Sequence, residues 1–341
     1  MTRCAALALL SLASASASGA SFPLPVDGST VVGEVRVVRL DDARNTLLDV
    51  ARHYDLGYDE IVAANPRTSV WLPGAGARIV VPTQFILPPK PWAGVVVNVA
   101  RRRLYYFPEP APGEARRVVT FPIGIAQPGW PTPLGRTRIV AKFKDPSWIV
   151  PKDILAQHHR QGEPDFPAYF PPGPDNPMGM LAMQTGFPEI FIHATNRPWG
   201  VGMRVSHGCL HLYPEDAAYL YPRLRVGTPV RIVNEPLSVG ARGGRLYLSA
   251  SPPIADYPGA GDFLTRAVRA VVRFEGAHAG VRGAVDWNRA IRAAQAKRLL
   301  PAPLAPPANR LEVALASRPE VPYRFAPYGI DANDAAVPPA Q

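Results

Sequence analysis

Ile192-His193-Ala194 and, after a short spacer, Val205-Ser206-His207-Gly208-Cys209 together hold what attack by a thiol requires. A thiolate attacks where a thiol does not, so the cysteine needs an imidazole close by to take its proton. His193 ends a predicted strand upstream of Cys209, and a strand–loop–strand return places the two side by side. Gly208 lets the backbone approach a substrate, and the N–H groups of Gly208 and Cys209 can then stabilise an oxyanion. Ser206 and His207 complete the loop. Taken alone, a Cys/His pair is better read as a buried structural cysteine among unrelated histidines.

Working outward, the chain has 2 cysteines in 341 residues, which excludes disulfide-rich scaffolds and multi-cysteine metal frameworks. The other cysteine, Cys4, lies in a basic start and apolar run that closes on Ser14-Ala15-Ser16-Ala17-Ser18-Gly19-Ala20. That pattern is a secretory signal peptide over residues 1–20, cleaved after Ala17 or Ala20. It is too short for a membrane anchor, which needs about 20 apolar residues, and no later stretch qualifies as a transmembrane segment. Cleavage leaves Cys209 as the only thiol in an oxidising compartment. It is then inert, paired with another chain, or kept for its reactivity.

The formal charge is +10, with 37 basic and 27 acidic side chains. Apart from Arg101-Arg102-Arg103 the basic residues form no run, which argues against nucleic acid and for anionic surroundings. Proline, at 41 residues, exceeds twice its ordinary share of about 5% and favours short strands, turns and linkers over helix bundles. Val35–Leu40, Thr46–Tyr54, Tyr58–Ala64 and Ala77–Val81 read as strand, helix, helix, strand, the second helix stopped at Asn65-Pro66. This small α/β module, residues 35–83, resembles LysM, a glycan-binding domain, although Asn45-Thr46 stands where LysM usually has Gly-Asp-Thr. Residues 84–93, with Pro88-Pro89-Lys90-Pro91, read as a stiff linker.

Residues 94–234 follow with short β-branched runs at Val95–Ala100, Leu104–Phe107, Val118–Ile125, Thr137–Lys142, Ile190–Ala194 and Val230–Val233. A helix starts at Pro214. The extension 240–300 has a strand at Arg245–Ser249 and amphipathic patterns at Phe263–Phe274 and Val285–Leu300. The Pro/Ala-rich tail 301–341 reads as disordered. His53, His158 and His159 read as solvated or structural, and Glu215-Asp216 as helix-capping residues.

The string His193, spacer, Ser206-His207-Gly208-Cys209 resembles the signature of the L,D-transpeptidase catalytic (YkuD) domain. The likeness extends to Phe121-Pro122-Ile123-Gly124-Ile125, Pro131-Thr132-Pro133-Leu134-Gly135, Pro172-Gly173-Pro174-Asp175-Asn176-Pro177 and Gly200-Val201-Gly202-Met203-Arg204-Val205. With a LysM-like module ahead, it is similar to the ErfK/YbiS/YcfS/YnhG-like periplasmic branch. The resemblance implies a mainly β catalytic domain, a YkuD-like β-sandwich, with a small βααβ module and a partly helical C-terminal extension.

It also implies Cys209 as nucleophile, His193 as proton acceptor and donor, and Gly208, His207 and Ser206 as support. On that reading a periplasmic enzyme attacks a peptidoglycan stem tetrapeptide, releases D-Ala and passes the acyl group to an amine. The acceptor is another stem peptide or a lysine of an outer-membrane lipoprotein, and no cofactor is needed. The family commonly has Arg two residues after the cysteine; here His211 stands there, and Arg204 is the candidate to compensate in substrate binding. Two other readings stay open. One is a non-catalytic peptidoglycan-binding protein. The other is a zinc-dependent amidase, with His207, Cys209 and His211 alternating along a strand towards His193.

Overall fold

The computed structural model of the chain describes residues 20–257, 259, 261–278, 285–305 and 318–323. Apart from Ala20 the expected signal segment lies outside these residues, as do 306–317 and 324–341 of the expected tail. Six helices are described: α1 (Leu47–His53), α2 (Tyr58–Ala64), α3 (Lys152–Arg160), α4 (Pro214–Leu220), α5 (Phe263–Ala277) and α6 (Trp287–Ala296).

The β-branched runs build one nine-stranded sheet. In spatial order its strands are Ala20–Pro23, Arg117–Pro122, Arg103–Phe107, Gly94–Asn98, Pro229–Val233, Gly135–Lys144, Leu181–Thr185, Phe191–Ala194 and Leu210–Leu212. Two neighbouring pairs are parallel: Pro229–Val233 with Gly94–Asn98, and Leu210–Leu212 with Phe191–Ala194. The strand Gly135–Lys144 pairs by its first half with Pro229–Val233 and by its second with Leu181–Thr185. Its register shifts between Ile139 and Ala141. Such an irregularity bends a strand and increases its twist. Both halves of the sheet therefore share one core, with Val95, Leu104 and Phe121 from one side and Met183, Ile192 and Leu210 from the other. The expected sandwich of two sheets is a single curled sheet, because this one strand continues through both halves.

The N-terminal module has the expected βααβ order, with α1 and α2 between the paired strands Arg36–Leu40 and Arg78–Val81. Thr46 starts α1 through a capping box: the Asp49 N–H donates to Thr46 Oγ1 at 3.1 Å and the Thr46 N–H to Asp49 Oδ2 at 2.8 Å. Asn65 ends α2 and ties it to the sheet, its Nδ2 donating to the Ile61 and Val80 carbonyls while its Oδ1 accepts from the Val80 N–H.

The module is not a separate bead. Leu40, Leu47, Leu56 and Ile61 share a core with Val96, Tyr105, Phe107 and Val118 on the second face of the large sheet. The stretch expected as linker begins with a buried strand, Gln84–Ile86, paired with Val31–Gly33. Phe85, Ile86 and Leu87 are apolar and fill that interface rather than face water. Close packing marks a second contact. Gly202 has φ +89°, and a Cβ there would stand 2.5 Å from the Gly57 Cα, so the module rests directly on the segment leading to the nucleophile loop.

Charged residues line this junction. Arg52 makes a two-point pair with Glu215, at 2.7 and 2.8 Å. Asp216 is fully buried, and its carboxyl meets that of Asp55, a contact that requires one of the two to be protonated. Glu215-Asp216 are thus docking residues, and α4 has no side-chain cap. Burial and the neighbouring Asp55 carboxylate push Asp216 well above the usual range, and burial pushes Asp55 up to about 6. Both carboxyls bind protons more tightly folded than unfolded, so stability falls as pH rises from about 4 through about 6 and beyond. Asp216→Asn is therefore expected to raise the melting temperature by about 2–4 °C at pH 7.5 and to flatten its pH dependence. Calorimetry showing no gain would contradict this account.

The C-terminal extension forms its own layer. Strands Leu237–Arg242, Arg245–Ala250 and Ala302–Pro303 make a three-stranded sheet. α5 and α6 pack on it around Leu246, Leu248, Ala267, Val271, Ala294 and Leu304. The tail expected to be disordered supplies that third strand and a further one, Glu320–Tyr323, parallel to Arg36–Leu40. Glu320 carries the contact: it accepts from Arg39 at 2.5 and 2.9 Å and pairs with Arg78.

Candidate active site

The parallel strand pair sets His193 beside the strand that Cys209 leads into. Ile192 stands opposite Leu210 and His193 opposite His211. Alternation buries Ile192 and Leu210 in the core and sends His193 and His211 to the other face. Cys209, two residues before His211, continues that face. The turn that delivers it is held from both sides. Ser206 Oγ donates to the Cys209 carbonyl at 2.6 Å, and Thr132 Oγ1 donates to the Gly208 carbonyl at 2.7 Å. Gly208 has φ +111°, a backbone conformation in which a side chain is strained. Cys209 itself is half-buried, its Sγ donating to the Glu189 carbonyl at 3.4 Å.

The resting pair is uncharged. Burial pushes His193 down to about 4, against the opposing main-chain hydrogen bonds to Ala194 and Met178; its Nδ1 lies 2.6 Å from the Ala194 carbonyl. Burial likewise pushes Cys209 up to about 11. At neutral pH the couple is therefore thiol and imidazole, and the proton must move as the substrate is attacked. The thiolate fraction then grows about tenfold per pH unit. Alkylation of Cys209 by iodoacetamide is expected to accelerate by about that factor per unit between pH 7 and 10, followed by intact-mass spectrometry. A flat profile would mean a resting thiolate–imidazolium pair instead.

His211 packs against the His193 imidazole, ring centroids 4.6 Å apart. Burial, with His193 and His207 nearby, holds its pKa well below 6.5. It is therefore a neutral wall for His193, and it brings no cation to a substrate carboxylate. Arg204 has protein partners of its own. Its Nε donates to the Ala126 carbonyl at 3.0 Å and its guanidinium pairs with Asp256, which cross-links two loops.

His207 faces a third group. Its Nε2 lies 2.9 Å from the Gln127 amide nitrogen and 3.2 Å from Gln157 Oε1 on α3. The Trp130 ring meets it edge-on at 4.7 Å. Burial and His158 push His207 down to about 4, and the neutral ring accepts from Gln127 or donates to Gln157 according to its tautomer. Among the described residues no three His, Cys, Asp or Glu side chains form a group able to hold a metal, and the zinc arrangement considered from the sequence is not assembled.

Sequence reasoning missed Gln127, Trp130, Thr132 and Gln157. His158, read from the sequence as solvated or structural, is stacked on Phe166 and lies 6.2 Å from His207. Thr132 had a signal, standing inside Pro131–Gly135. Gln157 and His158 had none, because the insertion 145–180 must fold back before α3 reaches the nucleophile loop. Asn176, 1% exposed, closes that insertion by donating to the Pro146, Phe170 and Pro171 carbonyls.

The L,D-transpeptidase catalytic domain (YkuD) matches residues 93–232. The probable L,D-transpeptidase YbiS of Escherichia coli is 37% identical over 70% of this chain and 77% of its own. The chain belongs to the L,D-transpeptidase family. The probable L,D-transpeptidase ErfK/SrfK of Escherichia coli is 38% identical to this transpeptidase over 67% of it and 72% of the relative. The crystal structure of L,D-transpeptidase 3 from Mycobacterium tuberculosis aligns at 20% identity over 46% of this chain and 66% of that one. Its TM-score is 0.30, too loose a superposition to bear on the site. The site's residues fall inside the matched domain, apart from Asp256. No described helix of the transpeptidase is long and apolar enough to cross a membrane.

Proposed function

We propose that this L,D-transpeptidase uses Cys209 as nucleophile and His193 as general base and acid on the stem tetrapeptide of peptidoglycan. The observation that supports the reading is the parallel pairing of Phe191–Ala194 with Leu210–Leu212, which sets the buried imidazole opposite His211, two residues past the thiol. Cys209 Sγ bonds to the carbonyl carbon of the third stem residue as its proton passes to His193. The carbonyl oxygen becomes an oxyanion facing the Gly208 and Cys209 N–H groups. The intermediate collapses as the bond to D-Ala breaks, and His193 returns the proton to the departing amine. The acyl group remains on sulfur as a thioester. An incoming amine adds to it, His193 takes the amine's proton, and the thiolate leaves and is reprotonated.

No outside energy source enters, since the thioester conserves the free energy of the peptide bond. The amine is that of another stem peptide or of an outer-membrane lipoprotein lysine. The reading places the enzyme in the periplasm after removal of the N-terminal signal, with the βααβ module acting as a LysM-like contact to the glycan strand. Support for the location comes from the basic-apolar start, and for the module from its element order.

Purified protein incubated with tetrapeptide muropeptides and sacculi tests this, with products identified by mass spectrometry. Release of D-Ala with a new amide to an amine acceptor is expected. Intact mass should also show an imipenem adduct on Cys209. Absence of both would overturn the reading.

A further inference from the structure

The segment after the strand Arg245–Ala250 leaves the C-terminal sheet and returns to the catalytic core. Ile254 belongs to the same core cluster as Ile192 and Leu210, and Tyr257 packs against it. From there two side chains reach the nucleophile loop. Tyr257 Oη donates to the Thr132 carbonyl at 2.7 Å. Thr132, fully buried, donates in turn from Oγ1 to the Gly208 carbonyl. Asp256 accepts from the Gly129 N–H at 2.8 Å and pairs with Arg204, and so grips the same 127–132 loop and the strand Arg204–Ser206 that enters the turn.

We infer that Ile254–Tyr257 is a strap by which the C-terminal extension sets the nucleophile turn, with Tyr257 a positioning residue that acts through Thr132. Gly208 sits at a φ that a free chain visits rarely for other residues, and its peptide plane orients the Cys209 N–H. A carbonyl held at its oxygen cannot rotate, so the adjacent amide stays aimed where negative charge develops. Each bond in the relay is ordinary. Its effect lies in fixing a geometry that catalysis needs within a fraction of an ångström. The inference rests on the assignment of Cys209 as nucleophile.

Tyr257→Phe keeps the ring and removes one donor. The rate constant for imipenem acylation of Cys209 is expected to fall by about 3–10-fold, the range of one lost hydrogen bond. Thr132→Val should cost at least as much and Thr132→Ser should restore most of it. The double variant Tyr257→Phe/Thr132→Val should be no slower than Thr132→Val alone, because the tyrosine acts through the threonine. With muropeptide substrate, kcat should fall while KM holds. Amide hydrogen exchange in the peptide spanning 206–209 should quicken in Tyr257→Phe, whatever the reaction at Cys209. Unchanged exchange, or losses that add in the double variant, would overturn the strap. A wild type that forms no Cys209 adduct, with exchange quickened as expected, would overturn the nucleophile assignment and leave the strap standing.

Discussion

Cys209→Ala is expected to fold like the parent and to lose transfer by more than about 10⁴-fold, the scale on which deletion of a covalent nucleophile acts. The fold should survive because the thiol is half-buried and its contacts are weak, to the Glu189 carbonyl at 3.4 Å and the Phe191 backbone. His193→Ala should approach the same loss by another route. With the thiol held up to about 11 and no neighbouring base, attack would wait on a thiolate that is scarce at neutral pH. The two losses should not add, since both remove the same proton-coupled step. His193→Ala should be partly relieved above pH 9, where the thiolate becomes populated without help, whereas Cys209→Ala should not. D-Ala release across pH 6–10 checks both. Full activity in Cys209→Ala would end the thioester mechanism.

The pH dependence of the parent separates the same groups. His193 titrates near 4 in the resting site. Below that value the ring is charged and cannot take the thiol proton, and above it the base is ready. Turnover should therefore fall only in strongly acidic solution.

What the sequence made legible was local and repetitive. Period-two β-branched runs located Gly94–Asn98, Arg103–Phe107, Arg117–Pro122 and Pro229–Val233 within two or three residues. Asn65-Pro66 marked the end of α2 in the βααβ module. The nucleophile loop was readable because its chemistry is compressed into four consecutive residues, Ser206–Cys209. What stayed hidden depends on chain reversal. Leu181–Thr185, with Gln184 in it, carries too little alternation to stand out as a strand, and it is made one by its neighbours on both sides. Phe85 to Leu87 looked like the edge of a proline linker, because nothing local says that a second core waits for them. Asp256 and Tyr257 carry no motif, and their partners at Gly129 and Thr132 lie more than a hundred residues earlier in the chain.

The largest stability effect expected is at Glu60. Arg103 is 1% exposed in the middle of the sheet, a position that admits a charge only with full compensation. Glu60 supplies most of it, with Oε1 2.8 Å from Nε and Oε2 2.5 Å from Nη2. Thr120 Oγ1 and the Asp55 carbonyl each accept one further N–H, and the Phe85 ring centre lies 4.1 Å from the guanidinium carbon. Glu60 Oε2 also accepts from the Gly57 N–H at 3.0 Å, at the start of α2. Glu60→Ala would strand a buried cation and free that helix end together, at a cost of about 3–5 kcal/mol in urea-induced unfolding. Arg103→Met/Glu60→Leu should recover more than half of that loss, because an apolar pair needs no compensation. A single variant within about 1 kcal/mol of the parent would mean that water reaches Arg103. The cost should extend to catalysis: Gly57 bears on Gly202, and the Tyr58 N–H donates to the Val201 carbonyl at 2.9 Å. Loosening α2 therefore releases the segment that runs into Arg204–Ser206, and Glu60→Ala should slow acylation of Cys209 well below the temperature at which it unfolds.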